Sequence, residues 1–153
     1  MTVRLRRFGT LLLPVLAAIA LLPVGGAALG ATTSLTLEFK RQYAKQHHAQ
    51  CGKAERFRMF HRRATIEFRG FLTPPSAKHF PVRLELKRCM HGHWTKIGDR
   101  STLGKKLTGK YKGFFSAGPL APRSHRRKAV AYYSGTAIVG TLRSTKEYFA
   151  VTN

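Results

Sequence analysis

Within Pro81 to Ala117 the chain twice alternates apolar and polar side chains with a period of two. Val82, Leu84 and Leu86 interleave with Arg83, Glu85 and Lys87. That is the pattern of a strand with one dry and one wet face. Trp94 and Ile97 follow a His91-Gly92-His93 turn, and Tyr111, Gly113 and Phe115 share one parity in a further strand. A chain with this period through its middle cannot be helical there. The stretch predicts the centre of a small antiparallel β-domain.

The same period extends outward. Leu35, Leu37 and Phe39 share a parity within 32–39, and Phe57 and Met59 within 55–60. In 64–72, Ile66, Phe68, Gly70 and Leu72 alternate with Thr65, Glu67, Arg69 and Phe71, until Thr73-Pro74-Pro75-Ser76 stops the strand. Residues 100–107 read as an edge segment. Gly118-Pro119-Leu120-Ala121-Pro122 opens a loop that runs through Arg127. Residues 128–134 read as a strand, 135–140 as a Gly-bounded excursion and 144–151 as the last strand. Seven or eight short strands with Gly and Pro between them, and no long amphipathic helix to cover a single sheet, predict an all-β, antiparallel β-sandwich. Residues 40–52 lose the period; a loop and a short helix both fit. The expected organisation is a leader at 1–30, an N-terminal strand and basic segment at 31–63, and a core at 64–153.

The leader begins with Arg4, Arg6 and Arg7. An apolar run from Phe8 to Leu22 follows, interrupted only by Thr10 and Pro14, then Pro23, Gly25 and Gly26, then Ala28-Leu29-Gly30. Positive, apolar, small, in that order, predicts a signal peptide cleaved near Gly30/Ala31, and hence a secreted protein. The alternative is an uncleaved anchor, for which the apolar run without helix breakers is short. Export would carry Cys51 and Cys89 into an oxidising compartment, where two cysteines most simply form one disulfide. Cys89 sits one off the parity of Val82, Leu84 and Leu86. Either the strand bulges near Lys87-Arg88, or Cys89 lies at its end facing out.

Charge is the unusual quantity. The chain has 28 Lys and Arg against 6 Asp and Glu, a net +22. Without Arg4, Arg6 and Arg7, 28 minus 3 basic groups face the same 6 acids, leaving +19. Such a surface attracts polyanions: anionic cell-wall polymer, an anionic membrane surface, or nucleic acid without sequence preference. Three basic clusters are candidates. Lys40, Arg41, Lys45, Arg56, Arg58, Arg62 and Arg63 interleave with Tyr43, Phe57 and Phe60. Lys105 and Lys106 lie just before Lys110 and Lys112. Arg123, Arg126, Arg127 and Lys128 surround His125. Cations of this kind contact phosphate or carboxylate, and neighbouring rings stack on bases or sugars.

The residues point away from catalysis. The acids Glu38, Glu55, Glu67, Glu85, Asp99 and Glu147 are scattered. There is no Gly-x-Ser-x-Gly elbow, no His-Glu-x-x-His and no phosphate-cradling glycine loop. His91 and His93, with His47, His48 and His125, lack the accompanying Cys or acid of a metal centre. No cofactor is expected.

One order of motifs runs through 64–152: Leu72-Thr73-Pro74, Val82-Arg83-Leu84-Glu85-Leu86, Trp94-Thr95-Lys96-Ile97-Gly98, Gly109-Lys110-Tyr111, Ala131-Tyr132-Tyr133-Ser134-Gly135, then Ser144 before Tyr148-Phe149-Ala150-Val151. It resembles the Ig-like modules common in exported actinobacterial proteins. The chain departs from them in its charge, its two cysteines and the segment at 32–62. The resemblance implies an Ig-like β-sandwich that spaces, stabilises or binds. The function expected is an exported, strongly basic binding module. The alternative is a secreted partner of another secreted protein, an inhibitor or toxin-like effector, acting through loops around Pro74-Pro75 or 118–127.

Overall fold

The computed structural model describes residues 32–40, 51, 56–124, 126 and 129–153. The leader with its expected cleavage point lies outside the described residues. So do Arg41, Lys45, Arg127, Lys128, His47, His48 and His125.

The described residues form an all-β protein of two sheets. The first is built on β4 (Thr65–Thr73). Along one edge of β4 run β1 (Ser34–Leu35) and β2 (Glu38–Lys40), and along the other runs β7 (Lys110–Ser116), all antiparallel. β1 and β2 keep one register against β4, so the strand expected over 32–39 is present with an interruption at Thr36 and Leu37. The second sheet has the order β3 (Arg58–His61), β10 (Glu147–Thr152), β8 (Val130–Val139), β5 (Phe80–Met90), β6 (His93–Gly104), with β9 (Leu142–Arg143) as a short hairpin on β8.

Residues 100–104 lie at a sheet edge as expected, as the continuation of β6, the outermost strand of the second sheet; each of them pairs with β5 in unbroken register from Gly104↔Phe80 to Arg100↔Leu84. Two expectations are corrected. Residues 135–139 are not an excursion. β8 runs straight through Gly135, where a Cβ would stand 2.7 Å from the tip of the Phe39 ring. Glycine lets the opposite sheet approach there, and the strand does not break. Finally, the pairing is not antiparallel throughout, since β3 lies parallel to β10. No hairpin joins these two strands, and the long intervening chain supplies the crossover that a parallel pair requires.

The β5–β6 connection is a two-residue turn, with His91 at φ 49° and Gly92 at φ 81°. Positive φ at both central positions matches the right-handed twist of the flanking strands. The β5–β6 register shifts between Leu86 and Lys87. Gly98 faces Leu86 and Lys96 faces Lys87, so Ile97 is the extra residue. The bulge thus belongs to β6, and β5 alternates without a break to Cys89. Cys89 accordingly turns away from Leu84 and Leu86, one residue before the strand ends, and forms a disulfide with Cys51 across a sequence separation of 38. Closing a loop of that length contributes at most about 4 kcal/mol through the unfolded chain.

The inward faces of both sheets share one core. Phe39, Ile66, Phe68, Tyr111 and Phe115 come from the first sheet, and Val82, Leu84, Leu86, Tyr133, Phe149 and Val151 from the second. Phe149 lies near the middle, its ring centroid 4.7 Å from Phe39, 5.2 Å from Tyr133 and 6.1 Å from both Phe60 and Phe115. The described part of 31–63 is not set apart from this core, since Leu35, Leu37, Phe39 and Phe60 are all buried in it. On the outer face of the second sheet, Phe57 and Ala150 are fully buried with Tyr132 and Tyr148 around them, and Trp94 packs on Tyr148. Among the described residues no helix is long and apolar enough to cross a membrane.

Candidate functional site

The outer face of the first sheet carries a cleft of about 520 Å³. Strand parity builds it. On β4, Glu67, Arg69 and Phe71 point away from the core; on β7, Lys110, Lys112 and Phe114 do the same; on β2, Glu38 and Lys40. The register sets Phe71 opposite Lys110, Arg69 opposite Lys112 and Glu67 opposite Phe114. Leu103 and Lys105 close the cleft from the end of β6. Lys105 is held beside β7 by its backbone N–H, which donates to the carbonyl of Lys110 at 2.8 Å.

Behind the cleft, on the core side of β7, Tyr111 ties the sheet to the segment before β2. Its hydroxyl donates to the carbonyl of Thr36, in the interruption between β1 and β2. Burial pushes its phenol far above the usual tyrosine range, so it remains a proton donor at any physiological pH.

Five cations, Lys40, Arg69, Lys105, Lys110 and Lys112, surround this cleft against two carboxylates. Both carboxylates are shared. Glu38 takes Arg58 at 3.3 Å on one oxygen and Arg69 at 3.2 Å on the other. Glu67 takes Lys40 at 3.8 Å and Lys112 at 4.0 Å. Lys105 and Lys110 have no carboxylate partner among the described residues. Of these pairs, Arg69–Glu38 is exposed on both sides, worth little to stability and open to exchange for an external anion. Between the charges lie exposed apolar groups: Phe71 is 49% exposed and Leu103 66%. Lys112 reaches over the Phe114 ring at 4.8 Å. A second recess of about 410 Å³ adjoins, lined by Arg63, Thr65 and Phe114 and sharing Lys40 and Glu67 with the first.

Of the residues expected to bind a polyanion, Lys40, Arg63 and Lys105 come together here. Lys106 is exposed on the turn before β7. Arg58 is largely enclosed and tied to Glu38, which makes it a strut between the two sheets. Arg56 precedes β3. Arg62 sits on the turn after β3, its N–H bonded to the carbonyl of Thr152. Arg123 and Arg126 lie on a loop pinned where the Asn153 amide donates to the carbonyls of Ser124 and Arg126. The basic clusters therefore do not all line the cleft.

Sequence reading missed Arg69, Phe71 and Leu103. The signal for Phe71 was present: a phenylalanine standing in the polar set of β4 has no core to enter. The outer face of the second sheet is different. There Glu85 takes Lys87, Lys96 and Arg143 at 3.6 to 3.9 Å, and Asp99 takes Lys96 at 3.1 Å and Arg83 at 3.9 Å. Its charges are mutually engaged. Among the described residues no three His, Cys, Asp or Glu side chains gather where they could hold a metal ion.

No protein-family model matches the chain, and no characterised protein matches it in sequence.

Proposed function

We propose that the chain is an exported, Ig-like binding module that holds polyanionic envelope or extracellular polymers on the outer face of its first sheet. The observation that carries this reading is the cleft itself. Five cations ring an exposed phenylalanine, and only two carboxylates, both already shared, stand among them. A repeating anion laid along β4 and β7 would meet a cation at each step and an apolar surface between. The leader pattern and the disulfide are compatible with an extracellular home. The work is binding rather than bond-making, and it needs no cofactor.

The test is retention on immobilised heparin, polyphosphate and an anionic cell-wall polymer across a salt gradient. Retention at low salt that is lost at moderate salt is expected, because binding of this kind releases counterions. Indifference to all three polymers would overturn the proposal. Salt-insensitive capture of one secreted protein would favour the inhibitor-like alternative.

A further inference from the structure

A separate concavity, of about 200 Å³, opens beside β6 and differs in kind. Leu86, Arg88, Ile97, Gly98, Arg100, Pro119, Leu120 and Tyr133 line it. Register explains its shape. Arg100 faces Leu84 and Gly98 faces Leu86 across β5–β6, so both stand on the parity that points between the sheets, as does Arg88. At Gly98 that parity has no side chain, and a Cβ placed there would meet nothing within 4 Å. The bulge at Ile97 widens the same spot. The result is a gap between two arginines, over a floor of Leu86, Leu120 and the Tyr133 ring.

Neither arginine is paired with a carboxylate among the described residues. The guanidinium of Arg88 lies 5.9 Å from the Tyr133 ring centre, and that of Arg100 lies 5.8 Å from Phe115. Arg100 also donates to the backbone carbonyl of Asp99 at 2.9 Å, while the Asp99 carboxylate is engaged by Lys96 and Arg83. The Tyr133 hydroxyl is used up, donating to the carbonyl of Leu120. Two guanidinium groups stand beside rings with edges matched by no acid among the described residues, in a notch whose other walls are apolar. A guanidinium edge fits the two oxygens of a carboxylate, and two half-buried charges of one sign favour an anion between them.

We infer that this notch is a binding site for a single carboxylate on a short apolar stem, held between Arg88 and Arg100. It is separate from the cleft on the first sheet and does not depend on the polymer reading. The stem lies against Ile97, Pro119 and Leu120, which a bare oxyanion would leave uncovered.

Isovalerate, acetate, glucuronate and inorganic phosphate are titrated into the disulfide-bonded chain, and the backbone amide of Gly98 and the arginine Nε–H groups are followed by NMR. Isovalerate is expected to saturate one site and to bind more tightly than the other three. Arg88→Gln and Arg100→Gln should each weaken it about tenfold or more. Arg88→Lys, which keeps the charge but loses the planar edge, should weaken it as well; near-UV circular dichroism checks that each variant folds. A triple variant Lys105→Gln, Lys110→Gln, Lys112→Gln should leave isovalerate binding unchanged, which separates this site from polymer binding. No saturable shift, equal binding of phosphate or glucuronate, or an unchanged affinity in folded Arg88→Gln and Arg100→Gln would overturn the assignment.

Discussion

Gly135 shows how much one missing side chain can carry. The Phe39 ring of the opposite sheet and Leu84 of the neighbouring strand β5 lie closest to it, and any Cβ would press on the Phe39 ring. Gly135→Ala should therefore destabilise the fold by about 1–3 kcal/mol, as overpacked cores do, measured by urea unfolding. An unchanged midpoint would show that Phe39 yields without cost. Glu147 is a second such position. Burial raises its pKa, Arg58 opposes the rise and Glu38 adds to it. The folded protein thus keeps a proton that the unfolded chain releases above about pH 4.5. Stability from this group is greatest below that value and falls as pH rises through the folded-state pKa. Glu147→Gln removes the penalty, so its melting temperature should exceed that of the wild type near neutral pH and coincide with it below pH 4.5. Equal melting temperatures at both pH values would contradict the sign. Neither position was legible in the sequence, because each depends on a partner from a distant strand.

Strands were legible where one face is dry and the other wet. β4, β5 and β7 follow their period-two pattern to within one or two residues. The sequence ends β8 early because Gly135 reads as punctuation, whereas it is an accommodation to Phe39; the sequence divides β6 at Arg100, past the bulge at Ile97 that shifts the strand's parity. The parallel β3–β10 pair could not be read, since direction across a non-hairpin edge is decided by the path of the whole chain. Parity also located the outer face of β4, and with it a prediction. Phe71 is exposed and anchors nothing in the core, so Phe71→Ala should leave unfolding within about 0.5 kcal/mol of the wild type. Its binding to polymers that offer sugar or base rings should weaken about tenfold, while binding to polyphosphate is retained, as read by fluorescence anisotropy. Equal loss on both ligands would remove the apolar contact from the account.

Across the whole molecule, charge is unevenly used. The second sheet engages its outward cations around Glu85 and Asp99, whereas the first sheet leaves Lys105 and Lys110 without carboxylate partners among the described residues. The excess of cations was plain from composition, but which of them gather was not. Lys40, Arg69 and Lys112 are far apart in sequence and meet only because β2 and β7 flank β4. The basic loop at Arg123 and Arg126 is held elsewhere, by Asn153.

The central claim, that this one face binds polyanions, is tested most directly by the salt dependence of heparin affinity in two charge-matched variants. One replaces Lys105, Lys110 and Lys112 by Gln; the other replaces Arg123, Arg126 and Lys146 by Gln. Each phosphate- or sulfate-contacting cation adds about one to the slope of log affinity against log salt. The first variant should lose about three from the slope, and the second should keep nearly all of it. Equal losses in the two variants would mean that the charge acts as a diffuse whole and that the cleft on the first sheet is not the site.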